Sequence, residues 1–422
     1  MQQEALQTCR RTDNVVLLSP TGSGKTLAYL LPLIENINAE SRELQALVVV
    51  PSRELAMQTQ KVARELSSSL RSVAVYGGRP AMEEHRTLRN TEPHLLIGTP
   101  GRLLDHLTKG NFSANAISHL VLDEFDKCLE LGFRDEMTHL FSLLPNVRRR
   151  TLLSATDNPE ITNYLPQYTR LDYLSDDAPS SGQIEQFIVR SPQKDKLQTL
   201  SELLLDRGSE TSLVFVGFRE SVERVYNHLR QSGFYASALH GGMEQRDRER
   251  ALFRFIGGST NILVSTDLAS RGLDIPQLDN VIHYHLPLDA HGLIHRNGRT
   301  ARWDQSGRSF LILGPEEDLS RLELTSDIEE YKIPQNEKLT QPKAPLWDSL
   351  YIGKGKRDKL SRGDVAGFLM KVGQLTREDV GRIDVRDHCC YVAVRRTKVT
   401  DLLHNIQGQK IKGLKTIIER TR

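Results

Sequence analysis

The chain has 422 residues, which is too many for one ordinary hydrophobic core and predicts two to four domains. Hydrophobic residues make up 38% and charged residues 26%, as in soluble globular domains, and no apolar run approaches the ~18 residues of a membrane span. The N-terminal segment MQQEALQTCRR lacks the apolar core of a signal peptide. These features exclude a membrane-spanning protein and predict a cytoplasmic location.

The charge is unevenly distributed along the chain. The net charge is +2, but residues 346–422 hold 17 Lys and Arg against 9 Asp and Glu, so that segment carries +8 and the preceding 345 residues carry −6. A basic C-terminal segment on a mildly acidic body indicates binding of a polyanion. A basic surface that is only solvated would give the same charge.

Apolar runs of strand length alternate with helical patterns over the first two-thirds of the chain. This alternation predicts parallel sheets with helices on both faces. In the first half the predicted strands are 15–18, 46–50, 95–98 and 120–122, and the predicted helices are 26–37, 53–66 and 102–107. A polar stretch at 174–183 predicts a linker.

The alternation then resumes. It includes strand-like runs at 212–216, 262–265 and 280–284 and helices near 220–232 and 245–255. After a second polar stretch at 334–345, the last segment predicts the order β-α-β-β-α-β. We therefore expect an α/β fold with two tandem parallel-sheet domains, 1–173 and 183–334, and a small α+β domain, 346–422.

The segment Pro20-Thr21-Gly22-Ser23-Gly24-Lys25-Thr26 lies between a predicted strand and a predicted helix. Such a loop cradles phosphates with its backbone N–H groups, while Lys25 neutralises phosphate charge and Thr26 offers a hydroxyl to Mg²⁺. Ser19 stands where the strict pattern has its first glycine. The segment predicts a phosphate site.

The segment Asp123-Glu124-Phe125-Asp126 follows a predicted strand. Acidic residues at such a place are commonly helix caps, but beside a phosphate loop one carboxylate can hold a metal and the next can activate water. The two segments together predict a nucleoside-triphosphate hydrolase that uses Mg²⁺.

Further motifs follow in a fixed order. They are Gln2, Pro51-Ser52-Arg53-Glu54-Leu55-Ala56, Gly77-Gly78, Thr99-Pro100-Gly101-Arg102, Ser154-Ala155-Thr156, Val214-Phe215-Val216, Gln245 with Arg248, Thr266-Asp267, Arg271-Gly272-Leu273-Asp274 and His295-Arg296-Asn297-Gly298-Arg299-Thr300-Ala301-Arg302. With these motifs the chain resembles the DEAD-box ATP-dependent RNA helicases, whose fold consists of two RecA-like domains. The resemblance covers nearly the whole chain.

The resemblance implies a role for each matched residue in ATP hydrolysis. Asp123 and Thr26 would hold Mg²⁺, Glu124 would orient the attacking water, and Lys25, Arg299 and Arg302 would stabilise phosphate charge. ATP would be bound by Gln2, Pro20, Thr21, Gly22, Ser23, Gly24, Lys25, Thr26 and Asp274. Asp126, Ser154, Thr156 and His295 would couple hydrolysis to RNA.

The resemblance also implies RNA contacts that position the strand without reading its bases. The residues concerned are Pro51, Arg53, Gly78, Thr99, Gly101, Arg102, Gly241, Gln245, Arg248 and Thr266. Such a site predicts local unwinding of RNA and not long translocation. Phe125 and the pair Gly217-Phe218 depart from the family pattern. The family's adenine-stacking aromatic would stand before Met1, so we expect either weaker adenine selection and ATP affinity or a true start upstream of Met1.

The last segment resembles the RNA-recognition-motif-like domain of the DbpA branch of bacterial DEAD-box proteins. Tyr351 and Tyr391 keep two of the base-stacking positions of that motif. Basic residues would add RNA contacts, namely Lys354, Lys356, Arg357, Lys359, Arg362, Lys410 and Lys412. Ordinary strand and solvated surface roles stay open for these residues.

The resulting expectation is a monomeric ATP-dependent helicase that remodels structured RNA, with ribosomal RNA of the large subunit as the implied partner. Two alternatives stay open, which are an RNA clamp with slow ATP hydrolysis and an RNA helicase without ribosomal specificity. A DNA helicase is disfavoured by the S-A-T and Q-x-x-R motifs.

Overall fold

The computed structural model describes residues 1–20, 23–78, 81–174, 184–270, 275, 278–300, 306–322, 328–334 and 341–421. Two compact units divide the chain, one within residues 1–174 and the other within 184–421. No helix in the described part is long and apolar enough to cross a membrane.

The first unit is a parallel sheet with helices on both faces. Its strands are β1 Asn14–Leu18, β2 Ala46–Val49, β3 Ser72–Val75, β4 Leu95–Gly98, β5 His119–Leu122, β6 Arg149–Ser154 and β7 Thr169–Asp172. Its helices are α1 Gln2–Arg11, α2 Lys25–Glu35, α3 Arg53–Leu66, α4 Ala81–Thr91, α5 Pro100–Thr108, α6 Phe125–Glu130, α7 Arg134–Ser142 and α8 Ile161–Tyr164. The strand order is β3-β4-β2-β5-β6-β1-β7.

Alternation along one strand explains the two cores of this sheet. Leu47 and Val49 of β2 pack into the cluster on one face, and Ala46 and Val48 pack into the cluster on the other face. All four side chains are buried because successive strand residues point to opposite faces and helices cover both faces. This is why the central strands are continuous apolar runs in the sequence.

The second unit begins with a sheet of the same kind. Its strands are β8 Ile184–Arg190, β9 Ser212–Phe215, β10 Ala236–Leu239, β11 Ile262–Ser265, β12 Asn280–His283, β13 Gly307–Leu313 and β14 Glu329–Glu330. Its helices are α9 Leu197–Arg207, α10 Arg219–Gln231, α11 Gln245–Ile256, α12 Asp267–Ser270 and α13 Ala290–Asn297. The seven strands are parallel in the order β10-β11-β9-β12-β13-β8-β14.

The second unit ends in a small antiparallel domain, which we call the tail domain (residues 346–421). Its strands are β15 Trp347–Ile352, β16 Val380–Val385, β17 Cys390–Arg395, β18 Lys410–Ile411, β19 Leu414–Lys415 and β20 Ile418–Arg420, and its helices are α14 Arg362–Lys371 and α15 Val399–Asn405. Four strands form a sheet in the order β16-β17-β15-β20, and β18 pairs with β19.

The α/β architecture predicted from the sequence is confirmed, including two parallel-sheet domains and a β-α-β-β-α-β tail domain. The hairpin β18–β19 was not predicted. Its strands have two residues each, and its turn places Lys412 and Gly413 at φ values of 52° and 78°. Two successive positive φ values are typical of the tight turns that join hairpin strands.

Candidate functional site

The motifs of the first unit all lie at one edge of its sheet. The strands β1 to β6 are parallel, and each predicted motif except Gln2 begins within a few residues of the carboxyl end of its strand. The adjacent strands β5, β6 and β1 lead to the carboxylate segment, Ser154–Thr156 and the phosphate loop. The adjacent strands β3, β4 and β2 lead to Gly77–Gly78, Thr99–Arg102 and Pro51–Ala56. The sheet order thus separates the motifs predicted to bind nucleotide from those predicted to bind RNA.

Side-chain hydrogen bonds join the described residues at the two ends of the phosphate loop. Lys25 is buried, and its Nζ donates to the Ser19 carbonyl at 2.7 Å, while Ser19 Oγ donates to Ser23 Oγ at 2.7 Å. Gly24 precedes α2 with φ 89°, a left-handed conformation that favours glycine. Gln2 lies against this loop, since its Nε2 donates to the Ser23 carbonyl at 3.5 Å.

The carboxylate segment lies beside this loop. Asp123 is 3% exposed, and burial together with the nearby Glu124 charge raises its pKa to about 7. Burial also lowers the pKa of Lys25, although the carboxylates oppose that effect. Glu124 adopts φ 50° and ψ 52°, a left-handed conformation that is uncommon for a residue with a side chain. A buried acid, a buried lysine and a strained backbone together mark this point as a reactive site.

The donor set beside the phosphate loop fits a hard divalent cation. Asp123 offers a carboxylate and Thr26 a hydroxyl, and Mg²⁺ prefers oxygen ligands of this kind. Mg²⁺ is commonly held by one or two carboxylates together with substrate phosphates, and no group of three or more His, Cys, Asp or Glu that could hold a metal occurs in the described part of the chain. These residues therefore suit a cation that arrives with its nucleotide.

The Ser154–Thr156 segment lies next to the carboxylate segment. Ser154 Oγ donates to the Thr156 carbonyl at 2.6 Å, and Thr156 Oγ1 lies 3.4 Å from Asp126 Oδ2. The Ser154 carbonyl also accepts from the Ser19 backbone N–H at 3.0 Å. The three nucleotide motifs are thus joined through backbone and side-chain hydrogen bonds.

Phe125 has a packing role that its sequence position did not reveal. The ring is 0% exposed and meets Tyr164 edge to face at 5.2 Å between ring centroids, and Tyr164 meets Phe141 in the same way at 5.3 Å. Tyr164 ends α8, the first helix after Ser154–Thr156. The aromatic contact therefore fixes the start of α6, which carries Asp126, against the segment that follows β6.

The motifs of the first unit that are predicted to bind RNA contact one another or buried neighbours. A Cβ atom at Gly78, whose φ is 91°, would lie 3.0 Å from Nη1 of Arg53, so the two motifs are in close contact. Arg102 Nε donates to Glu84 Oε2 at 2.6 Å, and His106 Nε2 lies 2.9 Å from the same oxygen. Thr99 is the N-cap residue of α5, with Pro100 and Gly101 in the first turn of that helix. The Arg102 guanidinium is therefore partly neutralised by a buried carboxylate that sequence reasoning missed.

The second unit repeats this arrangement at its own sheet edge. Gly241 follows β10 and Thr266 follows β11, and both residues are accessible to solvent, as is Gln245 at the start of α11. Arg248 is only 4% exposed, and its Nη1 donates to the His240 carbonyl at 3.2 Å. Arg248 therefore stabilises the loop that contains Gly241 from its buried side.

The arginine-rich motif of α13 divides into an inner and an outer part. Arg296 is buried and makes two hydrogen bonds to Asp267, at 2.6 and 2.7 Å, with its guanidinium 4.9 Å from the Phe215 ring centroid. His295 and Arg299 are half-buried. The predicted sites Thr21, Gly22, Asp274 and Arg302 lie outside the described residues.

The predicted base-stacking role of Tyr391 is corrected by the structure. Tyr391 is 1% exposed because its ring stacks on Phe253 of α11 at 5.2 Å with an interplanar angle of 27°. Tyr351 is also engaged, since the Arg246 guanidinium of α11 lies 5.2 Å from its ring centroid. The face of the tail sheet that would stack bases instead packs on the preceding domain.

Polar contacts extend the same interface. Arg396 Nη2 donates to the Ser259 carbonyl at 3.0 Å, and its guanidinium lies 4.7 Å from the Tyr235 ring centroid. Ser259 also hydrogen-bonds Ser349, and Arg386 Nη1 lies 3.6 Å from Glu249 Oε2. The tail domain is therefore attached to α11 and to the loop before β11 through its sheet.

A second group of basic residues in the tail domain lies around the start of α14 and the hairpin β18–β19. Lys412 Nζ donates to the Lys359 carbonyl at 2.8 Å and to Asp364 at 3.0 Å, which joins the hairpin to the start of α14. Lys354 is paired with Asp358 at 2.9 Å. Between β15 and the first turn of α14, the described residues include four exposed cations that form no ion pair, and we call them the basic patch: Lys356, Arg357, Lys359 and Arg362.

Replacing Phe125 with alanine should destabilise the first unit although it supplies the small residue usual in the family. Removing a buried phenyl ring leaves a cavity and costs about 3–5 kcal/mol. Urea unfolding of the full chain should show an earlier transition for Phe125→Ala and a smaller change for Phe125→Leu. An unchanged midpoint for the alanine variant would contradict the packing role.

Replacing Gly24 with alanine should weaken nucleotide binding about ten-fold. The left-handed backbone costs a residue with a side chain ~1–2 kcal/mol, and the new Cβ would lie 2.3 Å from Gln2 Nε2. Titration with a fluorescent ATP analogue measures the effect. Gly101→Ala is the matched control, because a Cβ there meets nothing within 4 Å.

Replacing Phe253 with alanine should loosen the tail sheet. Loss of the stacked pair removes about 1 kcal/mol, so amide hydrogen exchange in β17 should become about five-fold faster. Phe187→Ala, whose ring packs on Phe310 at 5.4 Å, should leave β17 unaffected. Equal protection of β17 in the Phe253 variant and the native chain would refute the interface.

Comparisons with known proteins agree with this geometry. Residues 1–164 match the DEAD/DEAH box helicase family, residues 195–304 the helicase conserved C-terminal domain and residues 349–420 the DbpA RNA binding domain. The chain is 36% identical to the Escherichia coli ATP-dependent RNA helicase DbpA, over 98% of this chain and 92% of the relative. It is also 36% identical to the Coccidioides immitis ATP-dependent rRNA helicase RRP3, over 80% of this chain and 73% of the relative.

A solved structure shares the fold. Saccharomyces cerevisiae Dbp5 bound to RNA and ADP BeF3 is 27% identical with a TM-score of 0.66, covering 75% of this chain and 83% of that one. The motif order, the two parallel sheets and the tail domain all agree with these relatives. The chain therefore belongs to the DEAD-box ATP-dependent RNA helicases of the DbpA type.

Proposed function

We propose that this ATP-dependent RNA helicase remodels structured ribosomal RNA of the large subunit, acting as a cytoplasmic monomer. The observation that carries the proposal is the tail domain, whose stacking face is covered and whose basic patch is exposed. A covered stacking face disfavours recognition of a flexible single strand, while a basic patch can contact the phosphates of a folded RNA. A relative of 36% identity is named as an rRNA helicase, which supports the same substrate class.

We assign the chemical roles as follows. Gln2 and the loop Pro20–Thr26 bind the nucleotide, with Lys25 released from the Ser19 carbonyl to a phosphate oxygen. Asp123 and Thr26 would hold Mg²⁺, which supplies charge neutralisation when it is bound. Glu124, on its strained backbone, accepts a proton from water and orients it for attack. Arg299 stabilises the charge of the transition state.

Coupling to RNA follows from the contacts around Asp126. Thr156 joins Asp126 to the segment after β6, and the Phe125–Tyr164 contact keeps that segment in place. A change in the phosphate site can therefore reach the neighbouring RNA motifs through one rigid sheet edge. RNA held by sugar and phosphate contacts there would be distorted locally, which opens short duplexes without sequence preference.

The pKa of Asp123 predicts a pH dependence of Mg²⁺ binding. The pKa is raised to about 7, so below pH 7 the carboxyl keeps its proton and must lose it before it can bind a cation. Mg²⁺-dependent binding of a fluorescent ATP analogue should weaken about ten-fold for each pH unit below 7 and level off above pH 8. Glu124→Gln removes a neighbouring negative charge and should move this profile to lower pH. A profile that is the same in both proteins would contradict the assignment.

ATPase rates with no nucleic acid, bulk RNA, large-subunit ribosomal RNA fragments and DNA test the proposed substrate. We expect strong stimulation by the ribosomal fragments, weaker stimulation by bulk RNA and none by DNA. Equal stimulation by all RNAs would refute the ribosomal specificity and support a general RNA helicase. Equal stimulation by DNA and RNA would refute the RNA assignment.

The same assay locates the specificity. Reversing two charges of the basic patch, Lys356→Glu with Arg357→Glu, should remove the preference for ribosomal fragments and keep the stimulation by bulk RNA. Lys371→Glu, an exposed lysine in the last turn of α14, is the matched control and should keep the preference.

A further inference from the structure

Phe218 is an unusual side chain in this fold because its ring faces solvent. It is 71% exposed, whereas every other described phenylalanine, tyrosine and tryptophan is buried or half-buried. Phe218 lies between the end of β9 and the start of α10, where it is the N-cap residue with an extended backbone, φ −131° and ψ 151°. Its neighbours Gly217 and Arg219 are exposed as well. No packing within the second unit accounts for the ring.

The position of Phe218 is set by the sheet. Strands β10, β11 and β9 are adjacent and parallel, and Leu239, Ser265 and Phe215 occupy the same level in the pairing register. The residues that follow these strands therefore leave the sheet at one edge. This edge carries Gly241 after β10, Thr266 after β11 and Phe218 after β9.

A side-chain contact joins two of these loops. The aliphatic stem of Arg219 is so close to the loop after β10 that a Cβ atom at Gly242 would lie 3.6 Å from Arg219 Cδ. His240 of the same loop lies 2.7 Å from Glu223 of α10 through its Nε2. Arg219, the residue after Phe218, thus contacts the loop that carries Gly241, so Phe218 leaves the sheet beside a loop that we have assigned to RNA backbone contacts.

We propose that Phe218 stacks on an unpaired base of the bound RNA strand, an inference that rests on the assignment of this edge to RNA. A phenyl ring has no hydrogen-bonding group, so it can offer a base only its face, and such stacking tolerates any base. The residues at this edge that are assigned to RNA, Gly241 and Thr266, suit phosphate and sugar. Phe218 adds a base contact to a site that otherwise grips only the backbone.

The test uses the full-length protein with ADP·BeF3 and a fluorescent ten-nucleotide single-stranded RNA. We expect Phe218→Ala to weaken binding about ten-fold and Phe218→Trp to retain it. Leu346→Ala is the control, because it also removes an exposed apolar side chain but at a distant place. Leu346 is 55% exposed, and the residue after it, Trp347, packs against Gly258.

A scan with single abasic nucleotides identifies the stacked base. In the native protein one abasic position should weaken binding about as much as Phe218→Ala does, and in the alanine variant that position should have no further effect. Equal losses at every abasic position in both proteins would overturn the proposal. Unchanged RNA affinity of Phe218→Ala would also overturn it. That holds even if the thermal stability of the variant falls, because the ring would then cover protein and not RNA. A native chain that RNA does not stimulate at all would instead refute the proposed function.

Discussion

Parallel pairing of the strands is the constraint on which the rest of this structure depends. Because every strand of the two large sheets runs in the same direction, all carboxyl ends within a sheet lie at one edge, and the loops that follow them are neighbours. The strand order then decides which loops are adjacent. In the first unit β5, β6 and β1 gather the nucleotide groups, while β3, β4 and β2 gather the groups assigned to RNA. Segments far apart in the chain therefore form one surface through the strand order alone.

Electrostatics at the nucleotide edge favour an incoming charged ligand. Burial raises the pKa of Asp123 and lowers that of Lys25, because it disfavours the charged form of each side chain. Phosphates beside Lys25 and a cation beside Asp123 would supply the missing partners. These shifts fit the proposed binding of a metal–nucleotide pair, and the buried Phe125 follows directly after the strained backbone of Glu124.

Much of this could be predicted from the sequence, because the central strands are buried on both faces and appear as uninterrupted apolar runs. Strand β6 was harder to predict since it begins Arg149-Arg150-Thr151, and only its last residues are apolar. The roles of Phe125 and Tyr391 could not be predicted at all. Each depends on a ring elsewhere in the chain, Tyr164 and Phe253, and single-sequence patterns carry no information about such long-range contacts.

The attachment of the tail domain has a consequence for how this architecture can be recombined. Three residues of helix α11 contact three residues of the tail sheet. Arg246 packs on Tyr351, Glu249 pairs with Arg386 and Phe253 stacks on Tyr391. An RNA-binding module transplanted from another protein would leave Phe253 without its ring partner unless it brought matching residues. The two domains are therefore coupled at this surface, whereas the exposed side chains of the basic patch can be exchanged without disturbing it.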